Sequence, residues 1–270
     1  MDLSQIKLVV SDMDGTLLNS NHEVSPLFLE LFKELKRHNI LFVAASGRPY
    51  YSITEKLYAI KDDIIIVAEN GGIVIDKEKL LLSTPIKKEH LSEVETLINS
   101  NNHIHPVFCT KLKAYFKNTS NGHIKLLTEY YPNFTVIDSI DEVEEDIIKI
   151  ALYHDIDSET YIYPHFKHLK PDYQVKVSGK HWVDLSDDAA NKGYAIALLQ
   201  KKLNISPNET LAFGDYNNDI EMLKLATYSF AMENAHENVK KIALYETKSN
   251  NHLGVELILE KLIEAKKSHS

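Results

Sequence analysis

The sequence predicts an α/β protein: a parallel-sheet core built from both ends of the chain, with a second α/β domain inserted between them. Three observations carry that expectation. Apolar, β-branched runs alternate with amphipathic helical stretches over the first third of the chain. The same alternation returns near Ala190 and continues to the end. Between them lies a span of about 100 residues, the size of a small domain, whose texture is different and rich in tyrosine and histidine. The expected boundaries are residues 1–82 and 186–270 for the core and 83–185 for the insertion.

The elements read as follows. Ile6 to Val10 is a buried-strand run, and Ser25-Pro26 starts a helix, with Ser as N-cap and Pro in the first turn. Leu27, Phe28, Leu31, Phe32 and Leu35 give that helix one apolar face. Ile40 to Ala45 reads as a strand, Tyr51 to Ile60 as a helix, and Ile64 to Ala68 as a third strand. This β-α-β-α-β rhythm implies parallel pairing through right-handed crossovers. Asn70-Gly71-Gly72 interrupts it, and Ile73 to Ile75 and Leu80 to Leu82 read as a short hairpin. In the insertion, strand-like pieces stand at Ala114 to Lys117, Ile148 to Tyr153, Gln174 to Ser178 and Trp182 to Leu185. After it come a helix over Lys192 to Leu203, a strand over Thr210 to Gly214 and a helix over Asp219 to Ala226. A strand over Tyr228 to Ala231 and helices over Glu237 to Ala243 and Gly254 to Ala265 follow.

Composition narrows the function classes. With 270 residues, 44% of them apolar and 26% charged, the chain can bury two α/β cores. A formal net charge of −9 argues against a nucleic-acid backbone as partner, because phosphate chains need basic stripes. No apolar run reaches membrane-spanning length, and the start has no basic segment followed by an apolar one. Cys109 is the only cysteine, which rules out an internal disulfide. The expectation is a cytoplasmic protein acting on a small molecule. The N-x-Ser/Thr sequons at Asn118, Asn133, Asn204 and Asn208 are then chance matches.

The chemistry starts at Ser11-Asp12-Met13-Asp14-Gly15-Thr16, directly after an apolar strand. Carboxylates one residue apart at the carboxyl edge of a sheet lie where open α/β folds bind ligands. They repel one another, and a desolvated pair stays ionised only with a cation or a shared proton. A second acidic cluster, Gly214-Asp215-Tyr216-Asn217-Asn218-Asp219, also follows an apolar strand. If both strands end at one sheet edge, Asp12, Asp14, Asp215 and Asp219 converge and require a divalent cation. Oxygen-only ligands suit Mg²⁺, which a substrate phosphate commonly completes. Ser46-Gly47-Arg48 would offer a hydroxyl and backbone N–H groups to that phosphate. Asn191-Lys192-Gly193 would offer a helix N-terminus and a full positive charge.

These four segments, in this order, resemble the motifs of the haloacid dehalogenase superfamily: D-x-D-G-T, S/T-G-R, K-G and G-D-x-x-N-D. Asn70-Gly71 and Ala231-Met232-Glu233-Asn234-Ala235 are similar to its Cof-type branch, whose class IIB α/β cap sits between the second and third motifs. One departure is Gly72, where Ala is usual. The resemblance implies a Rossmann-like core and a Mg²⁺-dependent phosphatase of small phosphomonoesters, such as sugar phosphates or phosphorylated cofactors, with the cap setting specificity. It implies that Asp12 attacks phosphorus to form an aspartyl-phosphate, and that Asp14 serves as general acid and base while its carbonyl ligates Mg²⁺. Asp12 and Asp215 would supply carboxylate ligands, with Asn218 or Asp219 completing or orienting the sphere. Ser46, Gly47 and Lys192 would bind phosphoryl oxygens, assisted by Asn191, with Met13, Arg48 and Asn70 on the phosphate or leaving-group side. A phosphomutase and a non-catalytic phospholigand binder are the alternatives.

Plainer roles stand beside these. Ser46 could be an N-cap, Arg48 a structural ion-pair partner, Lys192 a surface lysine, Asn70 a turn residue tolerant of positive φ, and Asp219 an orienting group. His103-Ile104-His105 and His165-Phe166-Lys167-His168 lack the cysteines or H-E-x-x-H frame of common zinc sites, so they are expected to be exposed or to contact substrate. Cys109 is expected to be a small buried hydrophobe, and Trp182 to be core.

Overall fold

In the computed structural model, residues 2–170 and 172–268 are described. The chain forms two compact units, Met1–Leu82 with Asn191–Ser270, and Ser83–Ala190. Its first segment supplies strands β1 (Leu8–Asp12), β2 (Leu41–Ala45), β3 (Ile65–Ala68), β4 (Ile73–Asp76) and β5 (Lys79–Ser83). The inserted unit holds β6 (His105–Cys109), β7 (Ala114–Lys117), β8 (Phe134–Ile137), β9 (Lys149–Tyr153), β10 (Tyr173–Gly179) and β11 (Trp182–Asp187). The returning segment supplies β12 (Thr210–Gly214), β13 (Tyr228–Met232) and β14 (Tyr245–Thr247). Because β11 continues to Asp187, the expected boundary after residue 185 falls inside a strand, and the second unit runs on to Ala190.

The first unit is organised around one sheet, ordered β14-β13-β12-β1-β2-β3-β4-β5. From β14 to β3 the strand pairings are parallel, and β4 then returns antiparallel to β3. The central strand β1 is buried along its whole length, as expected of a parallel strand covered on both faces. Its neighbours β2 and β12 come from opposite ends of the chain. Register pairs Ser11 with Phe213 and Asp12 with Ala45, so the loops after all three strands open at the same edge. That register is the reason distant acidic motifs can meet.

The helix Pro26–Arg37 shows how this edge is braced from behind. Ser25 caps it by accepting from the Phe28 amide at 2.9 Å, and Lys36 and Arg37 sit in its last turn, where the dipole favours cations. Its buried face presents Phe28 and Phe32 to Phe42 of β2, with ring centroids 5.2 and 6.1 Å apart. Burying two phenyl rings against a third stabilises the unit by several kcal/mol, at about 1.5–3 kcal/mol per fully buried large apolar side chain.

The inserted unit is a separate sheet, ordered β10-β11-β9-β6-β7-β8. It is antiparallel at its four pairings from β10 to β7 and parallel between β7 and β8. One face packs on Val94, Phe108, Ile150, Phe166 and Leu185. The other holds Cys109, which is buried as expected, together with Val107 and Phe116. Trp182 packs partly buried against Tyr130, Tyr131 and Tyr153. Among the described residues, no helix is long and apolar enough to cross a membrane.

Candidate active site

Asp12 is the last residue of β1 and is almost fully buried. The chain then folds back tightly, with the Leu17 amide donating to the Asp12 carbonyl at 3.3 Å and the Leu18 amide to the Met13 carbonyl at 2.8 Å. Met13 points wholly into the core, so what it offers a ligand is backbone. Gly15 makes this turn at φ +79°, and a Cβ there would stand 2.2 Å from Asp215 Oδ2. Its conformation and the close approach of Asp215 both demand glycine. Gly15→Ala is therefore expected to lower stability by more than about 1 kcal/mol and to displace Asp215. Thermal denaturation would read the first effect.

Three carboxylates meet beside that turn. Asp12, Asp215 and Asp219 each offer an oxygen within 4.8 Å of the others. Lys192, the first residue of the helix Lys192–Leu203, is completely buried among them. Its ammonium donates to Asp12 Oδ1 at 2.6 Å and to Asp219 Oδ1 at 2.7 Å. The other Asp219 oxygen accepts from the amides of Asp215 and Tyr216, at 3.0 and 3.1 Å. Asp219 thus holds both the lysine and the Asp215 loop, while Thr16 donates to Asp215 Oδ1 at 3.3 Å. Asp12 Oδ2 is buried and has no hydrogen-bond partner.

Charge explains why this arrangement is incomplete by itself. Burial, and then the neighbouring Asp219, push the Asp12 carboxyl well above its ordinary range, although Lys192 opposes them. The same two causes raise Asp215 to about 6. Desolvation works against the Lys192 charge, but Asp12 and Asp219 outweigh it and raise that pKa. With all three carboxylates ionised, one ammonium would leave two negative charges in a mostly buried site. A divalent cation beside Asp12 Oδ2 would balance both the charge and the unpartnered oxygen, so the residues fit Mg²⁺.

Asp14 lies outside that cluster and is part exposed. Arg48 grips it through both guanidinium arms, Nε to Oδ2 at 2.7 Å and Nη2 to Oδ1 at 2.6 Å. His22 Nδ1 lies 3.2 Å from Oδ1. Burial favours the neutral acid here, but the bonds and charges of Arg48 and His22 outweigh it and lower the pKa. Arg48 is thus an ion-pair partner of the second aspartate. The fork fixes the orientation of its carboxylate.

The remaining residues line the same edge. Ser46 is buried just past β2, and its Oγ accepts from the Arg48 amide at 3.1 Å. Asn70 adopts φ +55°, as a turn residue tolerant of that region can, and its Oδ1 accepts from Asn218 Nδ2 at 3.0 Å. A Cβ on Gly47 would touch the Asn70 amide at 3.1 Å, so these two loops are closely packed. Asn191 caps its helix by accepting from the Tyr194 amide at 2.7 Å, an interaction that positions Lys192. Gly71 permits this close approach: with φ +100°, its Cβ would stand 2.3 Å from the Asn191 carbonyl oxygen.

The sequence matches the family described as haloacid dehalogenase-like hydrolase over residues 9–259. The chain belongs to that family. It is 31% identical to a 5-amino-6-(5-phospho-D-ribitylamino)uracil phosphatase of Escherichia coli strain K12, over 96% of this chain and 97% of that one. A Bacillus subtilis protein of the same name is 27% identical over 96% and 98%. A solved structure from Streptococcus mutans UA159 superposes with a TM-score of 0.85 at 30% identity, covering 96% of this chain and 99% of that one. Within this haloacid dehalogenase-like hydrolase, sequence reasoning gave no role to His22 or Thr16. Thr16 stands inside the first motif, so its position was a usable signal. His22 lies in a loop with no pattern around it, and only the folded chain brings it to Asp14.

Proposed function

We propose that this phosphoric monoester hydrolase cleaves small phosphomonoesters through an aspartyl-phosphate formed on Asp12, with Mg²⁺ held by Asp12, the Asp14 carbonyl and Asp215. The observation that carries the reading is the buried Lys192 ammonium bonded to Asp12 Oδ1 while Asp12 Oδ2 has no partner. An in-line displacement needs a nucleophilic oxygen next to fixed positive charge, and this carboxylate has both. Lys192, the Ser46 hydroxyl and the Gly47 backbone would hold the phosphoryl oxygens. The bound cation would supply further neutralisation of the charge on them. Asp14 would give a proton to the departing alcohol oxygen and then take one from the water that cleaves the acyl phosphate. Arg48 would swing between the Asp14 carboxylate and the leaving group, releasing Asp14 to accept a proton. Asp219 and Asn218 act on this reading as orienting groups, since both Asp219 oxygens already accept from Lys192 or backbone amides.

The inserted unit would select the leaving group. The names of the two relatives favour a phosphorylated ribityl chain bearing a pyrimidine as the leading substrate class, with sugar phosphates and phosphorylated cofactors beside it. The chain's single cysteine suits a reducing compartment, and we place the enzyme in the cytoplasm.

The test is a phosphate-release screen over such a panel. Free phosphate from at least one member, abolished by EDTA and restored by Mg²⁺, is the expected result. Full turnover after exhaustive chelation would refute the metal's role. Isomerised sugar phosphate without free phosphate would indicate a mutase instead.

A further inference from the structure

The inserted unit carries a second group of metal-ligating side chains, assembled from three segments at one edge of its sheet. His105 is the first residue of β6. Register pairs it with Tyr153, so Asp155 stands just beyond it at the end of β9. His123 is in the first turn of the helix Asn121–Tyr130, which Ser120 caps. A ring nitrogen of each histidine and a carboxylate oxygen of Asp155 all lie within 4.8 Å of one another. His103, His165 and His168 are not part of this group, so the H-x-H and H-x-x-H spacings are not what builds it.

Neighbouring hydroxyls hold both rings. Thr119 Oγ1 lies 3.3 Å from Nδ1 of His105, and Ser120 Oγ lies 2.9 Å from Nδ1 of His123. Consecutive hydroxyls thereby engage the Nδ1 side of both rings. Outer hydrogen bonds of this kind fix which nitrogen a metal-binding histidine presents. His123 Nε2 faces Asp155, at 3.1 and 3.3 Å from its two oxygens. The two imidazoles stack with centroids 3.7 Å apart and planes 28° from parallel. Facing a carboxylate at this distance, Nε2 of His123 carries the N–H, a proton that metal binding would displace.

From this geometry we infer that His105, His123 and Asp155 form a binding site for a borderline divalent cation, Zn²⁺ above all. Two nitrogens and one carboxylate oxygen are a donor set for Zn²⁺, Ni²⁺ or Cu²⁺ and a poor one for Mg²⁺. Tetrahedral Zn²⁺ at about 2.0–2.1 Å from nitrogen places donors about 3.3 Å apart. Reaching that spacing requires the exposed Asp155 carboxylate to turn and the stacked rings to tilt apart, so that both in-plane lone pairs meet one point. Three protein ligands leave a fourth position for water or an anionic ligand group. Bound metal would tie β6, β9 and the helix Asn121–Tyr130 together, linking the order of this unit to zinc availability.

Isothermal titration of the intact protein with Zn²⁺, in millimolar Mg²⁺ to saturate the acidic site, tests the inference. One equivalent is expected in the wild type, at least about tenfold weaker in His105→Ala and in Asp155→Asn, and unchanged in Asp215→Asn. Circular dichroism and the thermal midpoint in Zn²⁺-free buffer establish that each variant is folded, and Asp155→Asn keeps the side-chain shape. A wild type that takes up no Zn²⁺ would overturn the site, leaving His123 and Asp155 as a structural ion pair. Uptake lost in Asp215→Asn but kept in His105→Ala would overturn it equally, by locating the metal at the acidic cluster.

Discussion

Replacing Asp12 with Asn is expected to remove phosphate release, by at least about 10³-fold in kcat, while leaving the protein folded. An amide lacks the nucleophilic oxygen pair, and loss of a covalent nucleophile costs a factor of this order or more. Stability should move the other way from activity. The folded Asp12 carboxyl has its pKa raised, mainly by burial and then by Asp219. A raised folded-state value means that the carboxyl favours folding below the unfolded value near 3.8 and penalises it as pH climbs through the folded value. At neutral pH, without Mg²⁺, Asn removes that penalty and still offers an oxygen to Lys192. The metal-free variant should therefore melt at or above the wild-type midpoint. Mg²⁺ should stabilise the wild type and have little effect on the variant, because ligand binding stabilises only the state that binds it. Retained turnover in a clean, folded preparation would sink the nucleophile assignment. A variant whose midpoint rises with Mg²⁺ as much as the wild type's would sink the assignment of Asp12 as a ligand.

Much of this site was legible because its residues are short-range punctuation on apolar strands. Ile6 to Val10 and Thr210 to Gly214 read as strands from composition, and acids follow each within two residues. The helix Lys192–Leu203 was legible to the residue, because Asn191 is a capping type and the apolar spacing behind it is regular. The inserted unit was harder. Strand β6 begins His105-Pro106 and β8 alternates weakly, so neither offered a period-two signal. The helix expected over Asp219 to Ala226 shrinks to Ile220–Leu223, preceded by a short 3₁₀ turn, because Asp219 spends its carboxylate on the lysine and the loop amides. Long-range pairings were also invisible: nothing in the string says that Arg48 holds Asp14, or that His105 meets His123 and Asp155.

The Lys192→Met variant should lose both activity and stability, and the two losses have different origins. Lys192 is fully buried and bonded to two buried carboxylates. Met fills a similar volume but leaves those acids without their cation. Breaking a buried pair from one side costs about 3–5 kcal/mol, or roughly 10 °C in thermal midpoint for a chain of this size. The penalty has a pH signature. Without the lysine, the Asp12 pKa rises further, so the destabilisation should shrink as pH falls from 8 toward the unfolded carboxylate value near 3.8, where the neutral acid needs no counter-charge. Mg²⁺ should recover part of the stability, since it supplies positive charge to the same oxygens, but little of the activity. On the proposed mechanism, turnover requires the ammonium to hold the phosphoryl oxygens beside Asp12, a role that Mg²⁺ bound to the carboxylates does not fill. A combined Asp12→Asn, Lys192→Met protein should be more stable than Lys192→Met alone, with a coupling of at least about 1 kcal/mol. Additive losses in that cycle would mean that the pair does not act as a unit, and that the charge balance drawn for the site is wrong.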